Sequence, residues 1–353
     1  WYSLSLFWAP NIILGLKYIF YLYCGTAITL SIVYYSDSLK KLNTLFYPIA
    51  ILIFLQIFIG LLESFTSFRM PISSYSSLAI FFGKEPINYS ASDNVLSFIN
   101  IKPPTSFHWN TNDFAICMAI SMPFFLCHNK NFIKLFGILT ITTLAVMSAS
   151  RAVFFGLIII YSIYLFLIKK RIGTLLLAWT ISLVLLMSIA NLRNSENARI
   201  NEVANTMNAI SLYLQGEIDI EGSIQWRRNL VMNGMEAFYK TYGRGLGAGG
   251  SVANQEIIGP VAGRFTSMHN FWIEFLVEGG ILIAFLFFYW YLALIYNLYK
   301  ISKRTRDAQI KYFSESLFIS MTAFIPSAIA ASSTIYFFPM WIMFGFAISI
   351  ISL

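Results

Sequence analysis

The chain has 353 residues, of which 58% are hydrophobic and only 11% are charged, whereas a soluble domain carries about 25% charged residues. This composition excludes an ordinary soluble protein and predicts a chain that lies largely in lipid. The formal net charge is +8, and much of it falls in short loops between apolar segments. That distribution is the positive-inside pattern of membrane proteins rather than a nucleic-acid-binding surface.

The apolar segments predict an all-α, polytopic helical bundle, since a helix that crosses a bilayer needs about 20 mostly apolar residues. Residues 1–9 resemble the tail of an earlier span that Pro10 stops, and the first residue is Trp rather than Met. We therefore expect that N-terminal spans are missing and that residues 1–353 form a single transmembrane domain. The predicted spans are 11–35, 44–63, 112–127, 134–150, 152–168, 172–190, 270–298, 314–333 and 336–353.

Four short loops are basic and predict one common side of the membrane. If that side is the cytoplasm, the predicted spans cross the membrane in alternating directions along the chain, with no span left over. The other side then receives a first outer loop at 64–111, a large outer loop at 191–269, and the tight turn between spans at Ser150–Arg151. The basic loops carry Lys40 and Lys41, Lys130 and Lys134, Lys169 to Arg171, and the lysines and arginines of 300–311.

Helical spacing of apolar residues predicts two amphipathic helices in the large outer loop, at 195–214 and 223–241, which lie either on the membrane or on the bundle. Arg227 and Arg228 lie near the start of the second one, where guanidinium groups and a helix N-terminus together favour an anion. The alternative is that they bind lipid headgroups. Arg151 lies between two apolar runs. It is either a functional residue or an arginine at a helix end whose side chain extends to the lipid headgroups.

Residues 243–250 contain a formal GxGxxG pattern between Gly245 and Gly250. A dinucleotide-binding fold needs a preceding strand and a βαβ unit, which this context does not predict. We expect instead a tight turn whose backbone must approach another part of the protein closely.

His269 and Asn270 begin the span that contains Glu274 and Glu278. The two carboxylates are four residues apart and therefore share one helix face. They are costly in an apolar span unless paired, so arginines of the outer loop are their expected partners. His269 is either a helix cap or, because imidazole titrates near neutral pH, a group that moves a proton.

These features occur in a fixed order: Ser150-Arg151, a long outer loop, Arg227, Gly245-Leu246-Gly247, and His269-Asn270 followed by Glu278-Gly279. Over about residues 135–300 this order resembles the bacterial O-antigen ligase and O-antigen polymerase family of membrane glycosyltransferases. The resemblance implies a bundle of the GT-C type and a sugar donor carried on polyprenyl diphosphate. It also implies a saccharide acceptor and an active site on the outer face of the bacterial cytoplasmic (inner) membrane.

The resemblance further implies that Arg151 and Arg227 bind the diphosphate and that His269 acts as a base or orients the acceptor. Arg228 and Arg264 are further candidates for the diphosphate. We expect Asn270, Glu274, Glu278, Gly245 and Gly247 to support the site, with no metal and no cofactor. Preorganised arginines can stabilise the charge that develops on a departing diphosphate.

The leading functional hypothesis is polymerisation of a surface polysaccharide of the O-antigen or capsule type. The alternatives are a ligase that transfers the finished glycan to a lipid or protein, and a flippase for the lipid-linked saccharide. A flippase predicts charges near the bilayer midplane and broken central helices, whereas the charges here cluster at one boundary. Further expected partners are membrane lipids and a protein that regulates chain length, and no nucleic acid.

Overall fold

The computed structural model describes residues 1–84, 86, 103–148, 150–174, 223–258, 266–329, 331 and 335–353. In these residues every regular element is a helix, which agrees with the predicted all-α class. The helices are α1 Ile12–Tyr35, α2 Leu39–Phe65, α3 Thr111–Leu126, α4 Asn131–Ser148, α5 Arg151–Ile163 with a π-helical end at Tyr164–Ile168, α6 Ser223–Lys240, α7 Gly250–Ile258, α8 Phe271–Arg304, α9 Ala308–Ser327 and α10 Phe338–Ser352.

Four of these helices are long and apolar enough to cross a membrane, namely α1, α2, α4 and α8, and α3, α10 and the segment Ala152–Ile168 are shorter and apolar. The protein is therefore a multi-pass membrane protein. Most of the predicted span 172–190 and all of the predicted helix 195–214 lie outside the described residues. Residues 1–9 form no α-helix: they contain the 3-10 turn Leu4–Phe7, which packs against Gly15 and Gly247.

The ends of the helices that carry the basic loops converge at one end of the bundle. This geometry agrees with the common side that charge alone predicts. Lys40 and Lys41 lie within the first turn of α2 rather than in a loop. Polar and ring contacts join these ends: Asn43 with Gln309 at 3.1 Å, Lys303 with the carbonyl of Leu167 at 2.7 Å, and the rings of His128 and Tyr312 at 6.0 Å.

Helix α9 occupies the centre and packs against α3, α5 and α8. Small residues permit the close approach. The hydroxyl of Ser320 donates to the carbonyl of Ile120 in α3 at 2.6 Å, and Gly156 of α5 lies so close to Ser327 that no Cβ would fit. The ends of α5 and α9 that lie away from the basic loops are thereby held together.

Helix α8 reverses direction at Gly280, which adopts φ 80° and ψ 168°. The ring of Phe275 lies 4.6 Å from the ring of Phe287, although twelve residues of continuous helix would separate them by about 18 Å. The rings of Trp272 and Tyr291 lie 5.4 Å apart across the same fold. The span predicted at 270–298 is therefore confirmed only in part: a membrane-length apolar helix covers this range, but a short arm (271–279) folds back on a long arm (281–304).

Candidate functional site

Helix α6 lies on the bundle, which is one of the two positions predicted for the amphipathic helix at 223–241. Gly234 faces Met268 with no space for a Cβ between them, and Phe238 packs with Met268 and Val277 in a small buried cluster. The side-chain amide of Gln255 in α7 donates to the carbonyl of Leu230 at 2.8 Å. These contacts fix α6 against the short arm of α8.

His269 precedes the short arm in a left-handed conformation, with φ 49°. Burial lowers the pKa of its imidazole to about 4, and the positive charge of Arg227 contributes to the lowering. Arg227 and His269 therefore lie within electrostatic reach of each other. Both Arg227 and its neighbour Arg228 are exposed at the start of α6.

The cap of the short arm is Asn270 and not His269, so one of the two predicted roles for His269 is wrong. The Asn270 side chain accepts a hydrogen bond from the amide of Ile273 at 3.3 Å. The amide of Phe271 donates to the carbonyl of Ala328, at the end of α9, at 3.1 Å. His269 is thus anchored beside the end of α9 that lies away from the basic loops.

Arg151 is the first residue of α5, after the tight turn that the sequence predicts. Its backbone lies at the same end of the bundle as His269, because Gly156 contacts Ser327 and the neighbouring Ala328 bonds to Phe271. The backbone path therefore brings the predicted positions Arg151, Arg227 and His269 to one end. Arg264, the fourth predicted diphosphate-binding residue, lies outside the described residues.

The glycine loop (243–250) makes the close backbone approach that its sequence predicts. The amides of Leu246 and Gly247 donate to the carbonyls of Val277 and Glu278 at 2.8 and 3.0 Å. These carbonyls are free to accept because the helix breaks at Gly280. A Cβ on Gly245 would lie 2.5 Å from the carbonyl oxygen of Glu278, so only glycine fits.

The N-terminal segment (residues 1–9) covers the other side of the glycine loop, and sequence reasoning missed this contact. The indole of Trp8 donates to the carbonyl of Gly245 at 3.0 Å, and its ring lies under the Arg244 guanidinium at 4.7 Å. The hydroxyl of Ser5 accepts a hydrogen bond from the amide of Ala248 at 2.9 Å. No spacing or motif connects segments about 240 residues apart, so only the fold reveals it.

Glu274 and Glu278 lie on one face of the short arm, as predicted, and both are buried. The expected arginine partner is wrong for Glu278: Oε1 accepts a 2.6 Å hydrogen bond from the hydroxyl of Ser251, in the first turn of α7. Burial raises the pKa of Tyr2, and the nearby charges of Glu278 and Glu274 contribute to the increase. The N-terminal segment therefore also borders the two carboxylates.

Another buried carboxylate, Glu63, organises the first outer loop and was not predicted. It accepts hydrogen bonds from the amides of Met70, Thr105 and Ser106 at 2.9, 2.6 and 2.7 Å. Three amide donors can stabilise a buried carboxylate. The available sequence signal was the single acidic residue of α2, which directly follows a long apolar run.

The chain is similar to known proteins over most of its length. Residues 136–288 match the family model described as O-antigen ligase, a range that includes Arg151, Arg227, the glycine loop and His269. The chain is also 26% identical to the teichuronic acid biosynthesis protein TuaE of Bacillus subtilis (strain 168), over 99% of this chain and 68% of that protein. The chain is thus similar to the O-antigen ligase family over residues 136–288 and to a teichuronic acid biosynthesis protein over nearly its whole length.

Proposed function

We propose that the protein is a membrane glycosyltransferase that polymerises a surface polysaccharide. It would transfer a glycan from polyprenyl diphosphate to an acceptor sugar hydroxyl at the outer face of the bacterial cytoplasmic membrane. The observation that carries the proposal is the placement of Arg227 beside His269, within a domain that matches the O-antigen ligase family. The basic loops at the opposite end of the bundle support an outward-facing site.

The proposed chemistry is a displacement at the anomeric carbon. The acceptor oxygen forms a bond to that carbon, the bond to the diphosphate oxygen breaks, and the electron pair leaves with the lipid diphosphate. Arg151 and Arg227 bind the diphosphate, where fixed guanidinium groups stabilise the developing charge. Arg264 is a further candidate for this contact.

In this mechanism His269 receives the proton of the acceptor hydroxyl or orients that hydroxyl. Its lowered pKa keeps the imidazole neutral at physiological pH, so one ring nitrogen is able to accept a hydrogen bond. A bound diphosphate would add negative charge next to His269 and favour its protonated form, which would make it a better base during the reaction.

A ligase is the second candidate, because the matched family is described as O-antigen ligase. The printed name of the relative, a teichuronic acid biosynthesis protein, supports a role in making a surface polymer without separating the two. Deleting the gene in its host distinguishes them. A polymerase mutant retains single repeat units in place of long chains, whereas a ligase mutant accumulates long chains on the lipid carrier.

The direct test mixes purified protein in detergent with a polyprenyl-diphosphate oligosaccharide. We expect chain growth without a membrane gradient, and we expect it to persist in EDTA if arginines rather than a metal bind the diphosphate. Arg227→Ala and His269→Ala should abolish product, while Lys240→Ala, a change at an exposed side chain of the same helix, should not. Absence of product from an authentic substrate would favour the flippase instead, and full activity of both site variants would refute the site.

A further inference from the structure

Helix α6 has one buried face, and its outward side divides into two edges of different chemistry. Successive residues on a helix are rotated by about 100°, so residues seven apart share a side. The buried face consists of Leu230, Gly234, Ala237 and Phe238. Arg227 precedes Gly234 by seven residues and therefore lies on the side that contacts Met268.

The first outward edge is apolar. It contains Met232 and Tyr239, which are seven residues apart and 60% and 69% exposed. Viewed down the helix axis, Arg228, Tyr239 and Met232 lie within about 40° of one another, and Glu236 and Lys240 follow at about 40° and 80° beyond Met232. The second outward edge is charged: Glu236 and Lys240 form a 2.7 Å ion pair there, with 68% and 74% of their side chains exposed.

The two edges are exposed to nearly the same degree, so burial within the protein does not explain their different composition. A helix with an apolar edge, a charged edge and a cation beside the apolar residues is typical of the membrane interface. Tyrosine and arginine are both favourable at headgroup depth, where an apolar stem meets a polar environment.

The apolar edge is also continuous with the lipid-facing surface of the bundle. After α6 the chain passes through Tyr242, which is fully exposed, to Gly243, whose carbonyl accepts from the amide of Ile281 at 2.9 Å. Ile281 begins the long arm of α8, where Leu282 and Phe285 are also more than half exposed. These side chains belong to a helix long and apolar enough to cross the membrane.

We infer that the edge formed by Arg228, Met232 and Tyr239 lies in the lipid headgroup layer, on the side of the membrane away from the basic loops. Arg228 binds a lipid phosphate there, and Glu236 and Lys240 face water. Arg227 points about 100° away, toward Met268 and His269. The two adjacent arginines thus bind different phosphates: one holds the helix at the bilayer surface and the other belongs to the candidate site.

Nitroxide labels test this position without reference to catalysis, so the result does not depend on the proposed function. Single cysteines replace Met232 and Tyr239 on one edge and Glu236 and Lys240 on the other, in protein whose three native cysteines are replaced. The labelled protein is reconstituted in lipid nanodiscs. Collision rates are then measured with oxygen, which concentrates in lipid, and with a water-soluble nickel chelate.

We expect a several-fold higher ratio of oxygen to nickel collisions at 232 and 239 than at 236 and 240. Equal nickel accessibility at all four positions would overturn the inference, because both edges would then face water. Protection of 232 and 239 from both reagents would also overturn it, since the edge would then be covered by protein.

A functional measurement gives a second readout. The double variant Met232→Ser/Tyr239→Ser should raise the KM for a long-chain lipid-linked donor in nanodiscs several-fold. The KM for a short-chain, water-soluble donor analogue should not change. An equal effect on both donors would contradict a membrane-interface role for this edge.

Discussion

The hydroxyl of Ser251 donates a 2.6 Å hydrogen bond to Oε1 of Glu278, and both side chains are buried. This contact ties the first turn of α7 to the short arm of α8. The glycine loop is tied to the same arm by the amides of Leu246 and Gly247. Because α6 continues directly into the glycine loop, these bonds help to hold Arg227 in place relative to His269.

Ser251→Ala should destabilise the protein by about 1–3 kcal/mol, because it leaves the buried Glu278 carboxylate without its hydroxyl donor. Ser251→Thr retains a hydroxyl and should cost less. Thermal unfolding in detergent measures the effect, with a thiol-reactive dye reporting exposure of the buried Cys117. The control is Ser349→Ala, whose buried hydroxyl donates only to the neutral carbonyl of Gly345 in its own helix. Equal melting temperatures for Ser251→Ala and the wild type would contradict the prediction.

Gly245→Ala should lower the free energy of unfolding by more than the strain of a left-handed backbone conformation alone would explain. Gly245 has φ 91°, and a Cβ there would lie 2.5 Å from both the Glu278 carbonyl oxygen and the Gly280 amide nitrogen. Gly83→Ala is the matched control, since Gly83 has φ 68° and open space around it, so it reports only the about 1–2 kcal/mol of left-handed strain. If the two variants lost similar amounts of folded protein, the close contact between the glycine loop and the short arm of α8 would contribute little to stability.

Arg227→Ala should raise the pKa of His269 from about 4, because it removes one cause of the lowering. The value should stay below the ordinary 6.5, since burial is the larger cause. Arg228→Ala should leave the pKa unchanged. NMR of histidine-labelled protein measures the shift, and assignment is simple because the chain has three histidines. Identical shifts in the two arginine variants would argue against the assigned pairing.

The protein should lose stability as the pH falls from about 6.5 toward 4. The pKa of His269 is about 4 in the folded chain and near 6.5 when unfolded, so the unfolded state binds more protons in this interval. The contribution is fully present above pH 6.5. His108, buried beside Gln56, has a similarly lowered pKa of about 4 and acts in the same direction. Thermal unfolding from pH 8 to 4.5 should therefore show a flatter profile for His269→Gln/His108→Gln than for the wild type, and parallel profiles would contradict this explanation.

Much of the fold follows from local properties of the sequence. The helix at Ser223–Lys240 begins and ends within one residue of its predicted limits, because its apolar spacing and flanking residues act locally. The turn at Ser150–Arg151 and the need for glycine in the glycine loop were likewise predictable. Both predictions follow from neighbouring residues and require no knowledge of contacts with distant parts of the chain.

The sequence did not predict the reversal of α8, because two consecutive glycines are compatible with a continuous apolar span. The reversal is stabilised by ring contacts between the arms, such as Phe275 with Phe287. From the sequence alone, Arg227 and Arg228 were equally good candidates for binding the diphosphate. Their difference arises because α6 docks through Gly234 onto Met268, which turns Arg227 toward His269.

The sequence by itself therefore determined that this is a helical membrane protein, which ends of its helices carry basic loops, and which arginines and histidine are candidates for catalysis. Hydropathy, charge and helical period are local quantities, so they can be determined from short stretches of the sequence. Only the tertiary structure decided that Ser251 rather than an arginine bonds to Glu278, and that the N-terminal segment covers the glycine loop. Those contacts join residues far apart in sequence, and their partners are set by packing.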